Sequence, residues 1–249
     1  MQAVGYRGKG PRWPLKPYTA EMDQTVHSLR VRRTKPAATP GDTTRTNDPA
    51  RTMADILATA TNEFAEKGLA GARIDEIAAA TRTSKRMIYY YFGSKEGLYL
   101  AVLEESYRRV RGTESELHLD DLQPEEALRR LVGFTFDHHN SNQGYIRLVM
   151  SENMQRGQYL AQSKNIQQLN VPAIQAIRNL YDRGVAEGIF RPGLDPIDIH
   201  ASISALSFFN VSNQHTFSLI FKRDTQAPKA IAARRQSIIE MVVRFVRAP

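Results

Sequence analysis

The chain has 249 residues, 41% of them hydrophobic, with no cysteine and a formal net charge of +8. That length supports a sizeable core in one large or two modest domains, and the missing cysteine excludes disulfides, thiolate metal sites and a cysteine nucleophile. The longest apolar runs, such as residues 203–211, are broken by Ser and Asn and fall far short of the ~20 residues of a spanning helix, so no membrane partner is expected.

Residues 1–50 hold nine Lys or Arg against four Asp or Glu and are rich in Pro, Gly, Thr and Arg, without a sustained apolar period. They are expected to form a basic, disordered arm whose attraction for phosphate fades with salt. The start has no continuous apolar stretch of the secretory kind, and a cytoplasmic location is expected. From Thr52 onward the periodicity is helical, and no alternation bounded by hairpin turns occurs, so the fold class is all-α. The first helix is predicted over residues 52–67, with Gly68 as its stop.

Residues 73–98, RIDEIAAATRTSKRMIYYYFGSKEGL, read as two short helices joined by a tight turn and then the start of a third. This is the outline of a helix-turn-helix, and residues 51–97 are predicted to form a three-helix DNA-binding domain. At about 100° per residue, Lys85, Arg86, Tyr89 and Tyr90 share an arc of about 140° while Met87, Ile88 and Tyr91 share the opposite one. One face docks and the other carries cations and aromatics long enough to reach phosphates and base edges. Ser94 caps a longer helix to about residue 111, followed by a loop, GTESELHLDDLQ. Further helices are predicted over residues 124–139, 142–155, 166–187, 195–213 and 228–246, making residues 98–249 a larger helical ligand-binding and dimerisation domain. Pro172 falls inside one of these and is expected to kink it, or split it near residues 169–171.

The chain resembles the tetracycline-repressor-like (TetR/AcrR type) transcription regulators. Ile56, Leu57, Ala60, Phe64 and Gly68 fall where that family has its first-helix core and stop, and Ile77 and Ala78 match its second helix. Ser84, Lys85, Ile88, Tyr89, Tyr90, Phe92, Ser94, Lys95, Glu96 and Leu98 match its S-K-x-x-L-Y-Y-x-F-x-S-K-E-x-L signature. The resemblance implies DNA contacts at Ser84, Lys85, Arg86, Tyr89, Tyr90 and Lys95, and charge and place add Arg73 and Arg82. The chain departs from the family in its turn, where Thr81, Arg82 and Thr83 replace Ala-Gly-Val. A left-handed Arg82 costs roughly 1 kcal/mol. Arg73 stands where the family has a capping Ser or Thr, a loss of about 1 kcal/mol.

Phe134, Phe136, His139, Tyr145, Phe208 and Asn210 are the candidate ligand-binding residues, an apolar set with polar anchors between the Pro172 helix and the helix starting at Asp195. Each aromatic fits equally well as core filling. The family's dimer is a four-helix bundle of its last two long helices, which assigns the apolar stripe Ile239, Val242, Phe245 and Val246 to a homodimer interface. His138 and His139 lie about 100° apart on a helix, the wrong spacing for a shared metal. No Gly-rich phosphate loop, GxSxG or HExxH occurs, so no cofactor, metal or catalytic site is expected. The function expected is a ligand-responsive DNA-binding repressor, released from a near-palindromic double-stranded DNA operator by a small-molecule effector. A non-specific nucleic-acid-binding protein using the basic arm, and an enzyme, are the rival readings.

Overall fold

The computed structural model describes residues 48–249, and the arm anticipated at residues 1–50 lies almost wholly outside them. The described residues form α1 (Pro49–Gly71), α2 (Ile74–Ala80), α3 (Lys85–Phe92), α4 (Lys95–Ser115), α5 (Pro124–Ser141), α6 (Gln143–Met154), α7 (Lys164–Ala186), α8 (Pro196–Ser212), α9 (Gln214–Phe221) and α10 (Pro228–Val246). One isolated antiparallel bridge, Phe190 to Arg247, is the only strand-like pairing among them.

Local chemistry sets most of the helix starts. Asp48 accepts from the amides of Ala50 and Arg51 ahead of Pro49, and Ser84, Ser94, Ser163 and Asp195 each accept from an amide in the first turn of α3, α4, α7 and α8. Proline at the first helical position opens α5, α8 and α10, where its absent N–H has no partner to lose. Gly68 leaves the helical region at φ 64°, as expected of a stop, and the chain resumes one turn to Gly71.

Two apolar clusters organise the molecule. In the first, Ile56, Ala60 and Phe64 of α1 meet Ile74 and Ile77 of α2, Ile88 of α3, and Leu98, Tyr99, Val102 and Leu103 of α4. Leu148 of α6 and Ile166 of α7 complete it. The second joins α5, α7, α8 and α10 through Leu131, Phe136, Ile177, Leu180, Ile199, Ile203 and Ile238.

The second cluster also contains Ile239, Val242 and Val246, which corrects their assignment to a dimer interface. They are at most 5% exposed because α10 lies against α5 and α8 of its own chain, and its wide stripe is spent there. Only Phe245 of the four is exposed, with the Arg191 guanidinium 4.6 Å from its ring centre. Phe136 is likewise fully buried in this core. Helix α4 extends one turn past its anticipated end, and a 3-10 turn, Leu119–Asp121, occupies the predicted loop. Helix α9 was not anticipated; its QHTFSLIF is short and lacks a capping side chain.

Pro172 does not split α7, which runs unbroken from Lys164 to Ala186. Pro172 is exposed, so the carbonyl freed by its missing N–H faces water, while Ala173, Ile177 and Leu180 hold the buried side in place. One turn from the end of α7, Gly184 lets the Phe190 ring lie against the backbone, and a Cβ there would sit 2.0 Å from a ring carbon. Phe190 is 2% exposed and stacked on Tyr181 at 6.4 Å, so it has nowhere to retreat. Gly184→Ala is therefore expected to destabilise the protein by about 1–3 kcal/mol in a denaturant melt. A midpoint equal to wild type would show that the ring moves freely.

Candidate nucleic-acid interface and internal cavity

Helix α3 separates its faces as its wheel requires. Ile88 is 0% exposed in the first cluster, whereas Tyr89 is 44% and Tyr90 78% exposed, beside exposed Lys85 and Arg86. The turn before it holds Arg82 at φ 51°, in the left-handed conformation that a glycine usually supplies there. Thr83 N–H donates to the Ala78 carbonyl at 3.0 Å and closes the turn. Arg73 makes no side-chain cap on α2; its own amide donates to Glu63 Oε1 of α1 at 3.0 Å, which ties the start of α2 to α1.

The cations on this surface differ in freedom. Arg82 and Arg86 form no ion pair among the described residues. Lys85 pairs with Asp75, and Arg73 lies 3.8 Å from Asp75 and 4.0 Å from Glu76. Exposed pairs of this kind are worth at most about 1 kcal/mol, so a phosphate can replace the carboxylate. Lys95 is half-buried and its Nζ donates to the Ala70 carbonyl at 3.3 Å, tying α4 to the end of α1. This gives Lys95 a structural partner that the sequence pattern did not reveal.

Deeper in the molecule, a cavity of about 220 Å³ lies between α4, α5, α6, α7 and α8. Of the six anticipated ligand residues, His139, Tyr145 and Phe208 line it. Phe134 stands next to His138 at 5.7 Å without lining it. Asn210 faces a separate cleft of about 360 Å³ between α8, α9 and α10. The cavity meets α7 at Asn170 and α8 at His200, Ser204 and Phe208, close to the position anticipated. Pro172 itself borders a different, open groove of about 1020 Å³ between α4 and α7.

Tyr107, Arg111 and Glu114 of α4 also line the cavity, and sequence reasoning passed over all three. Their spacing of four and three residues puts them on one helix face, a signal lost once α4 was ended at Arg111. Arg111 and Glu114 form a largely buried ion pair, 15% and 12% exposed. Beyond that contact, neither Arg111 Nη1 nor Glu114 Oε2 has a hydrogen-bond partner among the described residues. Arg111 Nε, His138 Nδ1 and His139 Nδ1 are also buried without a partner among the described residues. Burial pulls His139 down to about 4, helped by the charges of His138, Arg111 and His200, and burial plus Arg111 lowers His138 and His200. Burial raises Glu114, against the pull of Arg111. At neutral pH the histidines are thus uncharged, and Arg111 is the cation of the cavity.

Residues 56–102 match the bacterial regulatory proteins of the tetR family, and residues 124–242 the tetracyclin repressor-like C-terminal domain. The HTH-type transcriptional repressor NicS of Pseudomonas putida is 33% identical over 219 residues, covering 88% of this chain and 100% of the relative. The chain belongs to the tetR family. A second relative, the HTH-type transcriptional repressor SCO4008 of Streptomyces coelicolor, is 34% identical over 139 residues, 55% of this chain and 69% of that protein. Among solved structures, the putative transcriptional regulator SCO4942 of Streptomyces coelicolor superposes with a TM-score of 0.59 at 29% identity, over 80% of this chain and 99% of that one. The tetR-family segment at residues 56–102 runs from α1 into α4, and the C-terminal one spans α5 to most of α10. Among the described residues no helix is long and apolar enough to cross a membrane, and no three His, Asp or Glu side chains are placed to hold a metal ion.

Proposed function

We propose that this tetR-family regulator is a homodimeric repressor that reads a near-palindromic operator through α2 and α3 and leaves it when a small molecule occupies the α4–α8 cavity. The observation that carries the reading is the two-sided α3, with Ile88 buried and Lys85, Arg86, Tyr89 and Tyr90 outward. Arg73, Arg82 and Ser84 flank that face, and Lys95 adds a contact if it exchanges the Ala70 carbonyl for phosphate. Helix α4 links the two sites. Its first half fills the core under α3 with Leu98, Val102 and Leu103, and its second half lines the cavity with Tyr107, Arg111 and Glu114. A ligand that shifts α4 moves both the reading head and the spacing between two heads on the duplex, so ligand and operator oppose each other by linkage.

The dimer face we assign is the outer side of α8, α9 and α10. Leu219, Ile220 and Phe221 are 79%, 70% and 62% exposed, and Phe209 joins them through Phe217, which meets both Phe209 and Phe221, an exposed apolar set that a partner copy would cover. Replacing Leu219 and Phe221 together by Asp is expected to halve the mass in light scattering. Joining two half-sites raises avidity by about 10²–10⁴, so operator affinity should fall by a comparable factor. Footprinting on the DNA upstream of its own gene, with random duplex as competitor, tests the reading as a whole. Protection of a paired site supports it, and equal binding to all duplexes sinks it in favour of a non-specific binder.

A further inference from the structure

We infer that the effector of the α4–α8 cavity is a single-ring aromatic carboxylate, which takes the place of the Glu114 carboxylate on Arg111. The inference rests on the cavity being the effector site, as proposed above. Size sets the first limit. A cavity of roughly 150 Å³ accepts benzene. At about 220 Å³ this one has room for one ring and one small polar group. Shape agrees, since Tyr107 and Tyr145 meet edge to face at 5.6 Å and His139 meets Phe208 in the same way at 6.2 Å, offering flat walls on several sides.

Charge then selects the polar group. Arg111 keeps its proton under all ordinary conditions, so the cavity always carries a guanidinium. Its present partner is the weaker member of the pair: burial drives Glu114 toward its neutral form, and beyond Arg111 no described group bonds its buried Oε2. Glu114 also borders the open groove between α4 and α7, as Arg111 does, so a displaced Glu114 side chain has water within reach. An entering carboxylate restores the charge balance that Glu114 gives up and can accept two aligned hydrogen bonds from the guanidinium. Arg111 Nε and His139 Nδ1 are already free to bond it, and His139 is 92% buried by its 8% exposure. A cationic ligand would instead have to displace Arg111, whose charge already pushes His138, His139 and His200 toward neutrality.

The test uses the full chain and three probes of equal ring size, benzoate, benzamide and benzylamine, titrated calorimetrically while operator release is followed by anisotropy in matched samples. Benzoate is expected to bind at least about tenfold more tightly than either other probe, the increment of one charged hydrogen bond. Arg111→Gln should bring benzoate and benzamide to equal affinity. Glu114→Gln, which removes the competing charge, should strengthen benzoate several-fold and leave benzamide unchanged. Benzamide or benzylamine binding as tightly as benzoate, no benzoate binding at millimolar concentration, or a Glu114→Gln variant with unaltered benzoate affinity would each overturn the inference. The two readings separate cleanly. Neutral probes that bind and release operator sink the carboxylate and spare the cavity as effector site. Benzoate held through Arg111 with operator affinity unmoved sinks the cavity's effector role.

Discussion

Replacing Lys85 and Arg86 together by Ala is expected to lower operator affinity by roughly two orders of magnitude at low salt and to flatten its salt dependence. Both side chains are exposed on α3, so the fold does not depend on them. Each phosphate neutralised contributes about −0.9 to the slope of log affinity against log salt, so losing two contacts should reduce that slope by about 1.8. Lys85 first gives up Asp75, an exchange between exposed partners that costs little. If one of the two instead reads a base edge, the loss becomes sequence-selective, and the single variants tell the cases apart: a phosphate contact weakens every duplex alike, a base contact chiefly the operator. A double variant with unchanged slope would remove α3 from the interface.

Leu148→Ala, far from α3 in sequence, should cost about 2–5 kcal/mol, because Leu148 is fully buried where α6 closes the core of α1 and α4. At about 2–4 °C per kcal/mol for a chain of this size, the melting point should drop by about 4–20 °C. Operator binding should weaken as well, although Leu148 touches no DNA, because the core beneath the reading helix loses its seal. Met154→Ala, at 78% exposure on the same helix, serves as the control and should melt like wild type. Identical melting of the two variants would show that the N-terminal helices stand without α6.

What was legible in the sequence was local. The opposed arcs of α3, the cap at Ser94, and the starts of α5, α8 and α10 are written within a few neighbouring residues, and they occur where expected. What was lost depends on partners distant in the chain. An apolar stripe on α10 shows that something covers Ile239, Val242 and Val246, without showing whether it is α5 and α8 or a second copy. The unbroken course of α7 depends on which side of Pro172 meets water. Half of the anticipated cavity wall was found because aromatics and histidine stand out in composition. Arg111 and Glu114 were not, since an arginine and a glutamate near a helix end look like ordinary solvated charge until tertiary packing encloses them.

Because Leu148 and Ile166 fill the core of the N-terminal helices, the DNA-reading head is not a portable part. Cut after α4, it would carry an apolar socket with two plugs missing. A chimera joining this head to the body of another regulator would inherit a mismatch in that socket even with a perfect junction at α4. Exchange of specificity between such proteins thus has a natural unit larger than the reading helices: whoever transplants the head must also bring, or re-fit, the residues of α6 and α7 on which it sits.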